Sequence, residues 1–344
     1  MTQGRSESVF RQGFLSGVAI KASTSNELLT DEYDVIIAFP SWDSRCRCIT
    51  HSTHLRAKDG VVFLFDGRDA LGLRDDHDNK TLAFCRKVCR TVHEIKGSST
   101  RTTELWYALS EILGQIRWKS LKSLKILVDL STAPRFYALA ILAACFKWGI
   151  ASEVSFFYAE GRYPQENAEI DKHELFTSGG WSSVAIPNLQ GKWDPTRKRA
   201  YVVSVGFEGS KTLRLISRAE PDRVTVLFPD PGVSPEYVKR SMQNNDGLFS
   251  RFGVKSDELI RAEAGNAISA WRALEVHSTE HPEEENIYYV CCGTKPHSLA
   301  LGLRAFAMQY PAVLYIVPDS HKPVNVVPSG VYWRFDIRDV TSFN

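Results

Sequence analysis

The chain has 344 residues, of which 43% are hydrophobic and 24% are charged, a composition that is ordinary for a globular protein. At about 150 residues per domain, this length predicts two domains. Lysine and arginine number 42 against 40 for aspartate and glutamate, so the formal net charge is only +2. A protein that coats long nucleic acid is therefore not expected, because that role needs a strong positive charge.

Membrane and export signals are missing from the sequence. Its apolar runs fall short of the roughly 18 consecutive residues that a transmembrane helix needs. The first 30 residues contain no charged start followed by an apolar core and a small-residue cleavage site. Seven cysteines, with Cys291 and Cys292 adjacent, form an odd and scattered set that is typical of reduced thiols. We therefore expect a cytoplasmic protein without a membrane partner.

Strand-like and helix-like segments alternate along both halves of the chain. The strands are predicted at 34–39, 61–65, 124–128, 154–158, 201–205, 223–228, 287–290 and 312–317. The strongest helices are predicted at 102–113, 136–145, 266–274 and 299–308. In each half a polar loop follows the first strand and is expected to open a helix, and another polar loop follows the third strand. These loops are 40–45 and 129–135, then 206–211 and 292–298.

The spacing of these loops supports a duplication. Ser41 precedes Asp129 by 88 residues, and Gly206 precedes Gly293 by 87 residues. Because alternating strands and helices form mainly parallel sheets with helices on both faces, we predict an α/β fold of two Rossmann-like domains in tandem. The alternative is an α/β protein whose strand–turn–helix units recur without any duplication.

The predicted domains are residues 31–160 and 200–344. Between them, residues 161–199 are polar and rich in glycine and proline, so we predict a linker there. A small hairpin docked on one of the domains is the alternative, because the segment contains four apolar residues, Trp181, Val184, Ile186 and Leu189.

The four polar loops carry the candidate ligand-binding residues. In open α/β sheets, ligands bind at the carboxyl ends of the strands, where helix N-termini offer unpaired backbone N–H groups. The hydroxyl groups and cations of these loops suit phosphate or ribose. The candidates are Ser41, Asp43, Ser44, Arg45, Asp129, Ser131, Thr132, Arg135, Gly206, Glu208, Ser210, Lys211, Gly293, Thr294, Lys295 and Ser298, with His297 beside them.

Each loop also has an interpretation that requires no ligand. Ser41 and Ser131 would cap helices, and Asp129 would end a strand by accepting hydrogen bonds from nearby backbone N–H groups. Arg135 and Lys295 favour a ligand most strongly. A cation at the start of a helix opposes the helix dipole unless an anion offsets it.

Two of the loop sequences resemble those of a known family. Residues 129–135 (DLSTAPR) match the D-x-[ST]-x-x-x-[RK] signature of CRISPR-associated Rossmann fold (CARF) domains, and residues 292–303 (CGTKPHSLALGL) resemble the GGTK-type turn and apolar helix of the same family. The resemblance implies a pseudo-dimer of two CARF-like halves with a cyclic oligonucleotide lying across the dyad. It also implies that the ligand contacts lie at 41–45, 129–135, 206–211 and 293–298.

The sequence departs from the CARF pattern in two ways. Residues 292–295 (CGTK) occupy the place of 129–132 (DLST), so we expect the two halves to contact a ligand asymmetrically. CARF sensors usually carry an effector after the sensing unit, whereas only about 25 residues follow Pro318, too few for another domain. The resemblance therefore leads us to expect a sensor or accessory protein of bacterial defence that signals to a separate effector, a nuclease or an ATPase.

Metal and cofactor sites are not predicted. Cys85, Cys89 and His93 would share one face if 82–93 were helical, and with Cys46 and Cys48 they include the ligand types of zinc. Buried reduced cysteine explains that face equally well, so zinc at these four cysteines stays open and no metal is assigned. A solvated loop is the favoured interpretation of five clustered aspartates, Asp66, Asp69, Asp75, Asp76 and Asp78, because they lack the EF-hand pattern.

An enzymatic role is left open. The sequence contains no G-x-S-x-G elbow, no H-E-x-x-H motif, no Walker loop and no G-x-G-x-x-G after the first strand of either half. Asp43 and Glu208 occupy comparable loop positions and are the weak catalytic candidates, because paired carboxylates support hydrolysis when one pKa is raised. The alternative is that they only cap helices or hold the neighbouring Arg45 and Lys211. The leading hypothesis is thus a sensor of a nucleotide-type ligand. The alternatives are a hydrolase of nucleotides or phosphosugars, resembling the ring nucleases of the CARF family, and a ligand-free interaction subunit of a defence complex.

Overall fold

The computed structural model describes residues 6–10, 18–25, 29, 31–52, 54–67, 71–163 and 177–339. The contacts within the chain divide it into two compact units. The first unit combines most of the described chain up to residue 163 with residues 323–339, and the second contains residues 177–322.

Strands and helices alternate through most of the described chain. The strands are β1 (Ser6–Phe10), β2 (Val18–Ser25), β3 (Glu32–Ala38), β4 (Arg56–Asp66), β5 (Cys89–Ser98), β6 (Leu124–Asp129), β7 (Ala151–Arg162), β8 (Thr177–Ala185), β9 (Lys198–Ser204), β10 (Arg223–Pro229), β11 (Ile260–Ala262), β12 (Glu285–Cys291), β13 (Ala312–His321) and β14 (Val327–Asp339). The α-helices are α1 (Arg74–Val88), α2 (Thr102–Ser120), α3 (Arg135–Lys147), α4 (Gly209–Ala219), α5 (Pro235–Phe252), α6 (Ala267–His277) and α7 (Lys295–Met308).

The sheet of the first unit has the order β1-β2-β14-β7-β6-β3-β4-β5. Strands β3 to β7 pair in parallel, whereas β14 pairs antiparallel with both β7 and β2. The central strand β3 and the residue after it contain the continuous apolar run Val35–Phe39, and every residue of this run is buried. Such a run is typical of a parallel strand that is covered on both faces.

The sheet of the second unit has the order β11-β10-β9-β12-β13-β8. Strands β9 to β13 pair in parallel, and β8 is added antiparallel at the edge, on β13. Val202, Val203 and Val205 of β9 and its loop are fully buried, as are Val226 and Phe228 of β10. Of these residues, Val203, Val205, Val226 and Phe228 belong to the apolar core between the sheet and helices α4 and α5.

The two units have the same arrangement of strands. The order β7-β6-β3-β4-β5 of the first sheet corresponds to β13-β12-β9-β10-β11 of the second, and in both sheets the next strand along is antiparallel. The predicted α/β fold with two Rossmann-like halves and mainly parallel sheets is therefore confirmed. None of the helices in the described part of the chain is long and apolar enough to cross a membrane.

The sheets divide the chain differently from the predicted boundaries. Strand β14 lies in the predicted second domain but completes the first sheet between β2 and β7. Strand β8 lies in the predicted linker but forms the edge of the second sheet, so Trp181 and Val184 belong to a strand added to that sheet, while Ile186 and Leu189 follow it. Residues 164–176 of the predicted linker lie outside the described residues, as does Asp69. Pairing between distant segments has no local signature, which is why neither strand could be assigned to its sheet beforehand.

One local prediction was wrong, and the condition for a shared face of Cys85, Cys89 and His93 is not met. The loop after β3 does not open an α-helix but forms short 3-10 turns at Ser44–Arg47 and Ile49–His51. The segment 82–93 is not one helix, because α1 ends at Val88 and Cys89 begins β5, where it pairs with Ala57 of β4. Cys85, Cys89 and His93 therefore do not share a helical face.

Candidate functional site

The four predicted loops lie beside the central strand pair of each sheet. In the first sheet β3 leads to β4 on one side, while β6 pairs with its other side and leads to β7. In the second sheet β9 and β12 have the same relation. In the first sheet, β4 and β5 are added on one side of β3, and β6 and β7 are then added on its other side. The order of the strands therefore reverses between β3 and β6, and in the same way between β9 and β12. In open α/β sheets the crevice at the carboxyl ends of such a pair is the usual ligand site.

Hydrogen bonds join the two loops of the first unit. The Thr132 hydroxyl donates to the carbonyl of Phe39 at the end of β3, over 2.5 Å. Ser131 is fully buried, and its Oγ accepts a 3.0 Å bond from Ala159 N in β7. Asp129 Oδ1 accepts from Ser131 N at 2.9 Å, which closes the turn after β6. These side chains bring the loops together and hold their backbones in place.

The loop after β3 contains a buried ion pair. Arg45 Nη2 lies 2.5 Å from Asp43 Oδ2, and Arg45 Nε lies 3.0 Å from Oδ1. Burial alone would lower the pKa of Arg45, but the neighbouring Asp43 carboxylate raises it above its ordinary value. Asp43 therefore neutralises Arg45, a cation that was predicted to contact a ligand.

Two serines of this loop also have partners within the first unit. Ser44 Oγ donates to Asn325 Oδ1 at 2.8 Å, and the Ser41 carbonyl lies 2.6 Å from His77 Nδ1.

A close backbone approach joins the two loops of the second unit. A Cβ atom on Gly206 would lie 3.2 Å from the Cys292 carbonyl oxygen, and one on Gly293 would lie 2.8 Å from the Val205 oxygen. Ser204 Oγ accepts from Gly293 N at 3.1 Å. Glycine is thus required at position 293, where the loops after β9 and β12 come too close for a side chain, whereas a side chain at position 206 would need the Cys292 carbonyl to move slightly.

Thr177 of β8 contacts the charged residues of the loop after β9. Glu208 Oε1 accepts from Thr177 N at 3.0 Å and from Thr177 Oγ1 at 2.7 Å. Lys211 Nζ donates to Thr177 Oγ1 at 2.6 Å and to the Thr177 carbonyl, and lies 5.6 Å from the centre of the Trp181 ring. Ser210 is half-buried on the first turn of α4. Thr177 therefore links Glu208 and Lys211 in one hydrogen-bonded group between β8 and the start of α4.

The loop after β12 leads into a capped helix. Thr294 is the N-cap of α7, and its hydroxyl accepts from His297 N at 3.3 Å, while Ser298 Oγ donates to the Thr294 carbonyl at 3.1 Å. His297 is fully buried, and its Nε2 lies 3.1 Å from the Glu263 carbonyl. Burial lowers the pKa of His297 to about 4, so the ring is neutral at pH 7.

Arg135 and Lys295 occupy equivalent places in the two units. Each is the first residue of the helix that follows the fourth parallel strand of its unit, α3 after β6 for Arg135 and α7 after β12 for Lys295. Both side chains are half-buried. The remainder of α3 and α7 is almost entirely buried, so each unit places one cation where a buried helix begins at the carboxyl edge of the sheet.

Several residues that hold these loops were not found from the sequence. Asn245 Nδ2 donates to the Gly206 carbonyl at 2.7 Å, and Asn244 Nδ2 donates to the Phe207 carbonyl at 2.6 Å. Two adjacent asparagines inside α5 are a detectable signal, because asparagine is a poor helix former. Thr177 and Asn325 have no such signal, since each reaches its loop from a distant part of the chain.

The candidate catalytic carboxylates are hydrogen-bonded to neighbouring residues, and the candidate zinc-binding cysteines are buried thiols. Asp43 pairs with Arg45, and Glu208 accepts two hydrogen bonds from Thr177, so a neighbouring residue holds each carboxylate in place. Burial raises the pKa of Cys48 and of Cys89 to about 12, which keeps both thiols protonated. No group of three or more histidine, cysteine, aspartate or glutamate residues in the described segments could hold a metal ion.

A separate groove of about 630 Å³ lies at the opposite end of the strands in the second unit. It is lined by Arg223 and Thr225 at the start of β10, by Asp257 and Arg261, and by His277 at the end of α6. None of its lining residues belongs to the four loops.

Comparison with known proteins does not assign a family. No family model matches the chain, and no curated protein matches it. A solved structure of a functionally unknown protein from Pseudomonas aeruginosa PAO1 is 12% identical, with 83% of this chain and 93% of that chain covered and a TM-score of 0.27. That likeness is too low to support an argument about fold or function.

Proposed function

We propose that the protein binds a nucleotide-type, phosphate-containing ligand at the carboxyl edges of its two sheets and signals its presence to a separate protein. The observation that carries this proposal is the place of the predicted loops. In each unit they flank the strand pair at which the direction of strand addition reverses. Arg135 and Lys295 supply one cation to each edge, at the start of a buried helix.

The proposal favours binding over turnover. Asp43 and Glu208 each accept hydrogen bonds within their own unit, and such contacts fix a carboxylate rather than leave it poised to activate water. The resemblance of residues 129–135 to the CARF signature adds a ligand class, a cyclic oligonucleotide, and a setting in bacterial defence. Both additions rest on that resemblance alone.

Thermal unfolding with a panel of ligands tests the proposal. The panel contains inorganic phosphate, mononucleotides, linear oligoadenylates and cyclic oligoadenylates. A ligand present at 100 times its dissociation constant adds about 2.7 kcal/mol to the free energy of unfolding, which raises the melting temperature by several degrees. We expect this shift with at least one nucleotide and not with phosphate alone.

Charge removal at the helix starts provides the specific arm of the experiment. Arg135→Ala and Lys295→Ala should each reduce the ligand-induced shift, whereas Lys119→Ala, which removes an exposed cation from α2, should leave it unchanged. The proposal fails if no nucleotide shifts the transition. It also fails if a shift survives both loop substitutions.

A further inference from the structure

Two exposed tryptophans and a leucine lie where two neighbouring helices of the first unit end. Trp118 is in the last turn of α2 and is 80% exposed, and Leu121 follows the helix and is 84% exposed. Trp148 follows the end of α3 and is 52% exposed. Arg117 Nε donates to the Gly149 carbonyl at 3.2 Å, which ties the end of α2 to the turn that carries Trp148.

Leu121 is in a backbone conformation that leucine disfavours. Its φ is 55°, in the left-handed region, where a helix normally ends with glycine or asparagine. The side chain gains nothing from burial, because it is almost fully exposed. Neither local conformation nor packing in the fold therefore explains a leucine at this position.

The surroundings of these side chains are cationic. Residues 117–125 (RWKSLKSLK) contain four basic residues and no acidic one, and Lys147 directly precedes Trp148. Lys122 lies 3.7 Å from Asp34, and Lys125 lies 3.4 Å from Glu153. The exposed Lys119 and Lys147 are therefore the main cations around these side chains. An apolar centre with a cationic rim favours a partner with apolar and acidic side chains, because the rim steers and orients the encounter.

We propose that Trp118, Leu121 and Trp148 form a docking surface for a segment of a partner protein that has apolar side chains flanked by aspartate or glutamate. Tryptophan is enriched among the residues that contribute most to binding energy at protein interfaces. A lipid surface fits less well, because a flat anionic bilayer along the exposed side of α2 would also cover Glu111 and Glu104. These two residues lie about 10 and 21 Å from Trp118 along the helix, so a short acidic segment at the helix end does not reach Glu104. The surface does not involve the four loops, so this proposal stands apart from ligand binding.

Fluorescence anisotropy with synthetic peptides tests the docking surface on the full chain without nucleotide. The probes are labelled 12-residue peptides with two leucines or tryptophans among glutamates, and the matched peptides carry lysine in place of every glutamate. We expect the wild-type chain to bind acidic peptides at least tenfold more tightly than lysine peptides, with binding weakened by added salt. Equal affinity for the two peptide sets would overturn the proposal.

Substitutions within the surface separate docking from stability. Leu121→Gly should weaken peptide binding at least tenfold while leaving the melting temperature equal or higher, since glycine adopts a positive φ without strain. Trp118→Ala should weaken binding similarly, and Trp193→Ala should not, although Trp193 is 68% exposed in the second unit. Unchanged binding by both surface variants would contradict the proposal.

Two further measurements detect other occupants of this surface. Flotation with phosphatidylcholine vesicles containing phosphatidylserine would assign the surface to a membrane if wild type binds and Trp118→Ala does not. Sedimentation would assign it to a second copy of the chain if wild type dimerises and Leu121→Gly is monomeric. Either result overturns the proposed partner, and absence of both is expected.

Discussion

Glycine at position 209 is required by the packing of α4 against α5. A Cβ atom there would overlap the backbone carbonyl of Asn244, which cannot move without displacing α5. The same helix pair holds the loop after β9 through Asn245 and Gly206. The approach of two backbones at this residue thus determines where the loop lies.

Gly209→Ala should therefore lower the free energy of unfolding by about 3 kcal/mol, as overpacking a close contact does. The matched variant is Gly114→Ala in α2, where no atom lies within 4 Å of the added Cβ. It should be neutral or stabilising by about 1 kcal/mol, because alanine is the better helix former. Urea unfolding of both variants checks the pair, and equal effects would refute the packing argument.

His297 gives the protein a specific dependence on pH. Its pKa is lowered by burial to about 4, whereas an unfolded histidine titrates near 6.5. Below pH 6.5 the histidine binds a proton in the unfolded chain but not in the folded chain, which favours unfolding. The contribution of His297 to the free energy of unfolding is therefore complete above pH 6.5 and is lost as the pH falls towards 4.

Urea unfolding at pH 7.0 and pH 4.5 measures this contribution. Between these values the wild type should lose about 2 kcal/mol more than His297→Gln, because glutamine does not titrate and can still donate to the Glu263 carbonyl. The comparison cancels the titration of other groups, which both proteins share. Identical losses would show that His297 does not control this transition.

At the scale of the elements, β14 has the largest structural role that is not evident from its place in the sequence. It pairs with β2 over eight residues, Val18–Ser25, and with β7, so it fills the middle of the eight-stranded sheet. Removal of residues 327–344 should unfold the first unit and leave the second folded. Hydrogen exchange should then be fast in β3 and β6 and remain slow in β9 and β12.

The control for this deletion removes only residues 340–344, which follow β14. It should keep the exchange of β3 and β6 slow. If instead the longer deletion exposes β9 and β12, then β14 stabilises the second unit, as the predicted domain boundary implied.

The sequence predicted eight of the ten parallel strands in the described part of the chain, because each contains an apolar or β-branched run with polar residues at its ends. The run at Val35–Phe39 is buried, and the run at 124–128 in the neighbouring strand is buried except for the half-buried Lys125. Strands β5 and β11 were missed, because β5 is mostly polar and β11 has only three residues. It could not place β14 between β2 and β7 or β8 at the edge of the second sheet, since pairing between residues more than a hundred positions apart leaves no local pattern. For Asp43 the sequence left helix capping and pairing with Arg45 as alternatives, and in the structure Asp43 both caps the short 3-10 turn and pairs with Arg45.

At the scale of the whole molecule, the same five-strand parallel order occurs twice. In both copies the loops with the predicted site residues lie at the same strand pair, although their sequences differ. DLST at 129–132 forms hydrogen bonds to neighbouring strands, whereas CGTK at 292–295 relies on Gly293 for a close backbone approach. The two edges therefore have the same topology and different chemistry, which fits unequal contributions to ligand binding.

We propose above that a nucleotide-type ligand binds at the carboxyl edges of the two sheets. Hydrogen–deuterium exchange of the full chain, with and without the nucleotide that most raises the melting temperature, tests it most directly. With nucleotide bound, we predict slower exchange in peptides covering 129–135 and 292–298, where Arg135 and Lys295 begin their helices. Unchanged exchange at both loops, or protection confined to the groove lined by Arg223 and Arg261, would contradict it.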